Sequence, residues 1–235
     1  MPAGLFGKLP AKRDFIAAHA PRRFLEIWEP WIQGSVATSR QMLGAQWIEV
    51  YNRAPIWRFW LGADFCGEAT IGVFAPSVDG VGRSFPLTIF AGEGSASLPP
   101  PELDSNDQWC EAAEEILLDA LDPNVAFEAI AARAAALPAP SLQPRSPELS
   151  GIEELPDGGV VVRGVDRQVS LAFRAARRFG HRRAFAAQSF WWTIGGEGFA
   201  PLALSFVGLP AATRFADMLT GDFAGVPAAI EGTTA

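Results

Sequence analysis

The chain reads as an α/β protein, a mixed β-sheet with helices on both faces. Three observations point there. Short apolar runs rich in β-branched and aromatic residues, such as 70–75 and 85–91, have the length and composition of buried strands. Longer stretches, 21–43 and 105–121 among them, repeat their apolar residues at three- and four-residue spacing, the period of a helix with one packed side. The two patterns alternate along most of the sequence, and alternation layers helices against a sheet.

Leu5, Phe6 and Leu9 predict a short first strand that Pro10 stops, followed by a loop carrying Lys12, Arg13 and Asp14. Pro21 suits the first position of a helix, where its missing N–H is not needed. Phe24, Ile27, Trp28, Trp31, Met42 and Leu43 then form one apolar face, Pro30 is expected to kink or divide the helix, and Gly44 to stop it. Five tryptophans (28, 31, 47, 57 and 60) fall in the first 60 residues; their spacing fits a helix-on-sheet core better than an aromatic cage. The runs 56–61, 70–75 and 85–91 predict three strands.

Beyond a Gly/Ser/Pro loop at 92–101, Ser105 and Gln108 have the spacing of a capping box. The helix after it carries Trp109, Ala113, Ile116, Leu117 and Ala120 on one face, and another restarts at Asp122-Pro123 with Phe127, Ile130, Ala134 and Leu137. The carboxylates of 102–128, Glu114 and Glu115 included, read as a solvated acidic face. The proline-rich stretch 138–150 predicts a linker or long surface loop between two lobes of one domain, 1–221. Alternating valines at 159–165 predict a strand or hairpin. The segment 167–183 holds six arginines and no carboxylate, suited either to an anionic partner or to the acidic face above. Residues 188–194 and 199–207, joined through Gly195-Gly196, predict a hairpin. A last helix with Phe215, Met218 and Leu219 is expected to close at Gly221, leaving 222–235 as a flexible tail.

Composition narrows the function. With 49% hydrophobic residues over 235 positions the chain can bury a large core, and a net charge of −7 argues against a nucleic-acid binder. Cys66 and Cys110 lack CxxC spacing and fit buried thiols in a reducing compartment. No signal-like segment opens the chain, and its apolar runs are shorter than the roughly 20 residues of a membrane span. A soluble cytoplasmic protein without membrane insertion is expected.

The segment 76–87 is where chemistry would concentrate. Its Gly80 and Gly82 permit a tight turn between neighbouring strands, with Ser77 or Asp79 bonded to loop amides and Arg83 paired to a carboxylate. A loop that only hydrogen-bonds itself would look the same. Lys8, one of two lysines in the chain, is either a solvated side chain or part of a specific site. His19 and His181 stand in no metal-ligand spacing, and the chain lacks a GxSxG elbow, a phosphate loop and a dinucleotide fingerprint. On chemistry alone an enzyme is possible but unsupported, and no cofactor is expected.

Two motifs carry a resemblance. Gly4-Leu5-Phe6-Gly7-Lys8-Leu9-Pro10 with Asp14-Phe15, and Pro76-Ser77-Val78-Asp79 with Gly82-Arg83-Ser84-Phe85-Pro86-Leu87-Thr88, are similar to the TagF (ImpM) family of type VI secretion accessory proteins. Trp47, Pro55-Ile56-Trp57-Arg58-Phe59 and Ser189-Phe190-Trp191-Trp192 extend the likeness, which is strongest over residues 3–130. Where the family commonly has glycine before Asp-Phe, this chain has Arg13. The resemblance implies a three-layer α/β sandwich and a non-catalytic, post-translational repressor of secretion that binds the forkhead-associated scaffold protein Fha. It also implies a motif site of Lys8, Asp14, Ser77, Asp79 and Arg83, with Arg83 bound to Asp14 or Asp79. Two other readings stay open: a small-ligand or nucleotide-sensing module using Ser77, Asp79 and Arg83, and a hydrolase. A deep polar pocket would favour the ligand module, an exposed apolar patch the protein binder.

Overall fold

The computed structural model describes residues 2–92, 94, 98–140, 151–157, 159–163 and 169–223. The expected proline-rich linker lies outside them from 141 to 150, as does the expected tail from 224 onward.

Seven strands form one sheet. In chain order they are β1 (Gly4–Gly7), β2 (Ile16–Ala18), β3 (Trp57–Leu61), β4 (Thr70–Ala75), β5 (Leu87–Gly92) and, after a separate hairpin of β6 (Ile152–Glu154) and β7 (Val160–Val162), β8 (Gln188–Thr193) and β9 (Leu202–Val207). Across the sheet the order is β2-β1-β5-β4-β3-β8-β9. Every neighbouring pair runs antiparallel. That pairing is more uniform than a mixed sheet, because hairpin turns join β4 to β5 and β8 to β9 directly, and antiparallel strands need only such short connections.

Each strand alternates its side chains between two cores, which makes the sheet the middle of three layers. One face of the sheet presents Leu5, Trp60, Ile71, Val73, Leu87 and Ile89 to Trp109, Ala113, Ile116 and Leu117 of α4 (Asp107–Asp119) and to Ile130 and Ala134 of α5 (Phe127–Ala135). The opposite face presents Phe6, Trp57, Phe59, Phe74, Phe90 and Trp191. Against it lie α1 (Arg22–Leu43), α2 (Trp47–Arg53) and α8 (Arg214–Thr220). The short α3 (Ala63–Cys66) links β3 to β4, and α6 (Val169–Phe179) with α7 (His181–Ala184) leads from the small hairpin to β8.

Helix α1 is the longest element, and it runs unbroken through Pro30. Pro30 is on the solvent side, where water can serve the carbonyl its ring leaves unpaired, while Phe24, Trp28, Ile32 and Val36 hold the other side on the sheet at four-residue spacing. Met42, expected on the apolar face, is exposed. The tryptophans form a core rather than a cage. Trp28 stacks on Phe59 at 4.3 Å, Phe24 stacks on Phe90 at 3.7 Å, and the Trp28 indole donates to Thr88 Oγ1 at 3.2 Å.

The capping box does not form. Asn106, at φ 51°, takes the N-cap position of α4, and Ser105 Oγ donates instead to Asp107 Oδ2 at 2.6 Å. The acidic face of α4 is also not wholly solvated. Glu115 is exposed, but Glu114 turns inward to Arg58. Arg58 belongs to the interior strand β3, and alternation sends it to the α4 side, where a charge needs a partner. Its Nε and Nη2 donate to Glu114 Oε1 at 2.6 Å and Oε2 at 3.0 Å, and its Nη1 to Asp107 Oδ1 at 3.1 Å. Burial disfavours the charged guanidinium, but the bonds to Glu114 and the nearby negative charge outweigh it and hold Arg58 above its ordinary pKa. Cys66 and Cys110 are free and buried, and burial pushes their thiols up to about 11 and about 12. No described helix is long and apolar enough to cross a membrane.

Candidate functional site

The connection from β4 to β5 closes as a tight turn. The Asp79 amide donates to the Arg83 carbonyl at 3.1 Å, the Gly82 amide to the Asp79 carbonyl at 2.9 Å, and the Phe85 amide to the Ser77 carbonyl at 2.9 Å. Gly82 has φ 85°, a left-handed value that other residues resist. Gly80 has another role: its amide donates to the Lys12 carbonyl at 2.7 Å, and a Cβ there would stand 2.9 Å from the Pro10 carbonyl oxygen. The second motif is thereby laid directly against the first.

Asp79 is the centre of that contact, and its side chain is wholly buried. Oδ1 accepts from the amides of Val81 at 3.1 Å and Arg83 at 2.9 Å. Oδ2 takes Lys8 Nζ at 3.0 Å and Arg83 Nε at 2.6 Å. Four donors saturate the carboxylate. Burial by itself would raise its pKa. The Arg83 amide, the Lys8 ammonium, the Arg83 guanidinium and the Val81 amide overcome that and hold the group well below the usual carboxylate range.

Of the five expected site residues, Lys8, Asp79 and Arg83 come together. Asp14 stands at the rim, exposed and 3.8 Å from Arg83 Nη2. Ser77 does not join them. Its Oγ is buried without a hydrogen-bond partner among the described residues, and its contribution is through the backbone. Lys8 is a buried member of the site, not a solvated lysine; its ammonium also sits 4.9 Å from the centre of the Phe15 ring. Arg13, in place of the family's glycine, accepts Arg83 Nη2 on its backbone carbonyl and does not have a positive φ, so the contact asks nothing of its side chain.

Three participants were not among the expected residues. Tyr51 on α2 donates to the Ser77 carbonyl at 3.2 Å and accepts from the Ser77 amide at 3.1 Å, bracing the base of the loop. It is the chain's single tyrosine, a signal the sequence did offer. Arg40 on α1 donates to the Ser84 carbonyl at 3.3 Å and lies 4.2 Å over the Trp47 ring. Phe15, 48% exposed, meets Phe85 edge-on at 4.7 Å. Between Phe15, Ser84 and Phe85 on one side and Gln33, Val36, Ala37 and Arg40 of α1 on the other runs an open, mainly apolar groove. The site thus offers its surroundings an apolar groove, while its central carboxylate is turned inward.

Because the Asp79 pKa is lower folded than unfolded, its stabilisation is complete above the unfolded value of about 4 and lost as pH falls through the folded value. Asp79→Asn is therefore expected to destabilise most at neutral pH, with the gap to the parent narrowing in strong acid. Urea midpoints of both proteins across that range check it; a gap independent of pH would show that the charge is not what matters.

Residues 4–137 match the family described as TagF N-terminal domain, Type VI secretion system-associated. Among solved structures, the chain is similar to PA0076 from Pseudomonas aeruginosa PAO1, a crystal structure at 2.05 Å resolution. The two share 32% sequence identity with a TM-score of 0.74, over 96% of this chain and 97% of that one. No curated protein matches. The family match contains every residue of the site and of the Arg58–Glu114 pair.

Proposed function

The chain belongs to the TagF N-terminal domain family of type VI secretion-associated proteins, and on that premise we propose that it represses secretion by binding a partner, the forkhead-associated scaffold Fha, without chemically altering it. The observation that carries the proposal is the saturation of Asp79. Both carboxylate oxygens are committed to the loop and to Lys8, so this group is not available as a base or as a ligand for a small molecule. What the loop and α1 offer outward is the groove with Phe15, a surface suited to apolar contact with a protein.

Repression by occupancy is stoichiometric, so it follows concentration relative to Kd. Overproduction is expected to block secretion with transcript levels unchanged, and excess Fha to relieve the block. Phe15→Glu is expected to weaken Fha binding by about thirtyfold, as loss of a central aromatic anchor does, while the protein stays folded. The binding model fails if strongly substoichiometric amounts silence secretion and a change at Asp79 or Lys8 abolishes this with partner affinity intact.

A further inference from the structure

The basic segment takes no part in this site. Its six arginines leave the rest of a chain of net charge −7 at −13, so positive charge is concentrated in one stretch of the sequence. There, α6 packs on the β6–β7 hairpin through buried Ala172 and half-buried Ala175 and Ala176. Arg174, Arg177 and Arg178 occupy the opposite arc, flanked by Phe173 on one side and Leu171 on the other. Phe173 is 71% exposed, and Val169, Leu171 and Phe179 are exposed too. Arg177 reaches Glu102 at 3.4 Å and lies 4.5 Å over Phe185, while Arg174 and Arg178 meet no carboxylate among the described residues.

We propose that α6 is an interfacial helix that holds the protein on an anionic lipid surface. A helix with arginines along its outer arc and bulky apolar side chains at the margins is built for that boundary. The guanidinium groups meet phosphates, and Phe173 and Leu171 enter between headgroups. An acidic protein would pair with the arginines alone, whereas the exposed Phe173 and Leu171 at the two margins of the arginine arc add the apolar contact that a lipid surface accepts. The strongly acidic remainder of the chain is repelled by the same surface, so contact is confined to α6. Adsorption of this kind needs no membrane-spanning helix, and it does not rest on the repressor reading.

Co-sedimentation of the full chain with vesicles tests it. Vesicles of phosphatidylcholine with about 30% phosphatidylglycerol are expected to bind the protein, and pure phosphatidylcholine vesicles to bind it far less. Binding should fall steeply between about 0.05 M and about 0.5 M salt. The double variant Arg174→Glu/Arg178→Glu is expected to bind about thirtyfold more weakly or worse, and Phe173→Ala about tenfold more weakly. Phe173 and Arg174 are exposed and Arg178 is half-buried, and far-ultraviolet circular dichroism checks that both variants fold. Equal binding to both vesicle types, or variants that bind like the parent, would overturn the proposal. So would retention on polyglutamate without retention on anionic vesicles, which would identify an acidic protein as the partner instead.

Discussion

Arg58→Ala is expected to destabilise the protein by about 3–5 kcal/mol, because it removes one member of a buried ion pair and leaves the Glu114 carboxylate between the sheet and α4 without a counter-charge. For a chain of this size the melting temperature falls by roughly 6–20 °C. Asp107 does not rescue the variant, since it approaches Arg58 from a half-exposed position and is itself a carboxylate. Removing both charges has a different consequence. Arg58→Met with Glu114→Leu replaces the pair with apolar groups of similar length, avoids the cost of desolvating two ions, and is expected to recover most of the lost stability. Urea unfolding of the single and double variants measures the contrast. A double variant as unstable as Arg58→Ala would mean that the charges do more than satisfy each other. Partner binding at the groove is not expected to follow this pair, which lies on the α4 side of the sheet, away from the groove lined by α1.

Gly7→Ala is expected to be at least as damaging. Gly7 ends β1 at φ 135°, a conformation that residues with a side chain rarely adopt, and a Cβ there would stand 2.0 Å from the Pro86 carbonyl oxygen. The obstacle is backbone of the strand entry at β5, so it cannot rotate away. Relief requires β1 and the 76–86 loop to separate, which also pulls Lys8 from Asp79. A loss of at least about 3 kcal/mol is expected, with poor recovery of folded protein. Gly82→Ala is the matched control. Its φ of 85° is also left-handed, but nothing lies within 4 Å of the missing Cβ, so only the backbone preference of about 1–2 kcal/mol is lost. If chemical denaturation finds Gly7→Ala no worse than Gly82→Ala, the close approach of the two motifs does not stabilise the fold.

These contacts separate what could be read along the chain from what could not. The strand β4 was legible at its full span, because an apolar run bounded by turn residues carries its own evidence. So were the hairpin of β8 and β9, the inward side of α4 and the closing of the loop on Asp79, since the Val81 and Arg83 amides lie within a few residues of it. The arginine pairing was legible in the same way, at four residues' separation. The strands β2 and β6 and helices α2, α3 and α7 were missed, since three to seven residues hold too little periodic signal, and the eleven-residue α6 was read only as a basic segment.

What the tertiary structure alone decided is which distant groups share a buried space. Helix spacing identified Glu114 as a carboxylate among carboxylates; β3 brought Arg58 from 56 residues away and made it an internal partner. Lys8 was compatible with solvent until β1 paired with β5 and placed its ammonium on Asp79. Ser77 had the right chemistry for a site, but its backbone was taken by Tyr51 and its hydroxyl turned inward. Local pattern determines secondary structure because its interactions are between near neighbours in the chain. A charge's partner, by contrast, is set by how sheet and helices close over it, when desolvation makes an unpaired ion intolerable and pairing chooses among all the groups that packing has brought within reach.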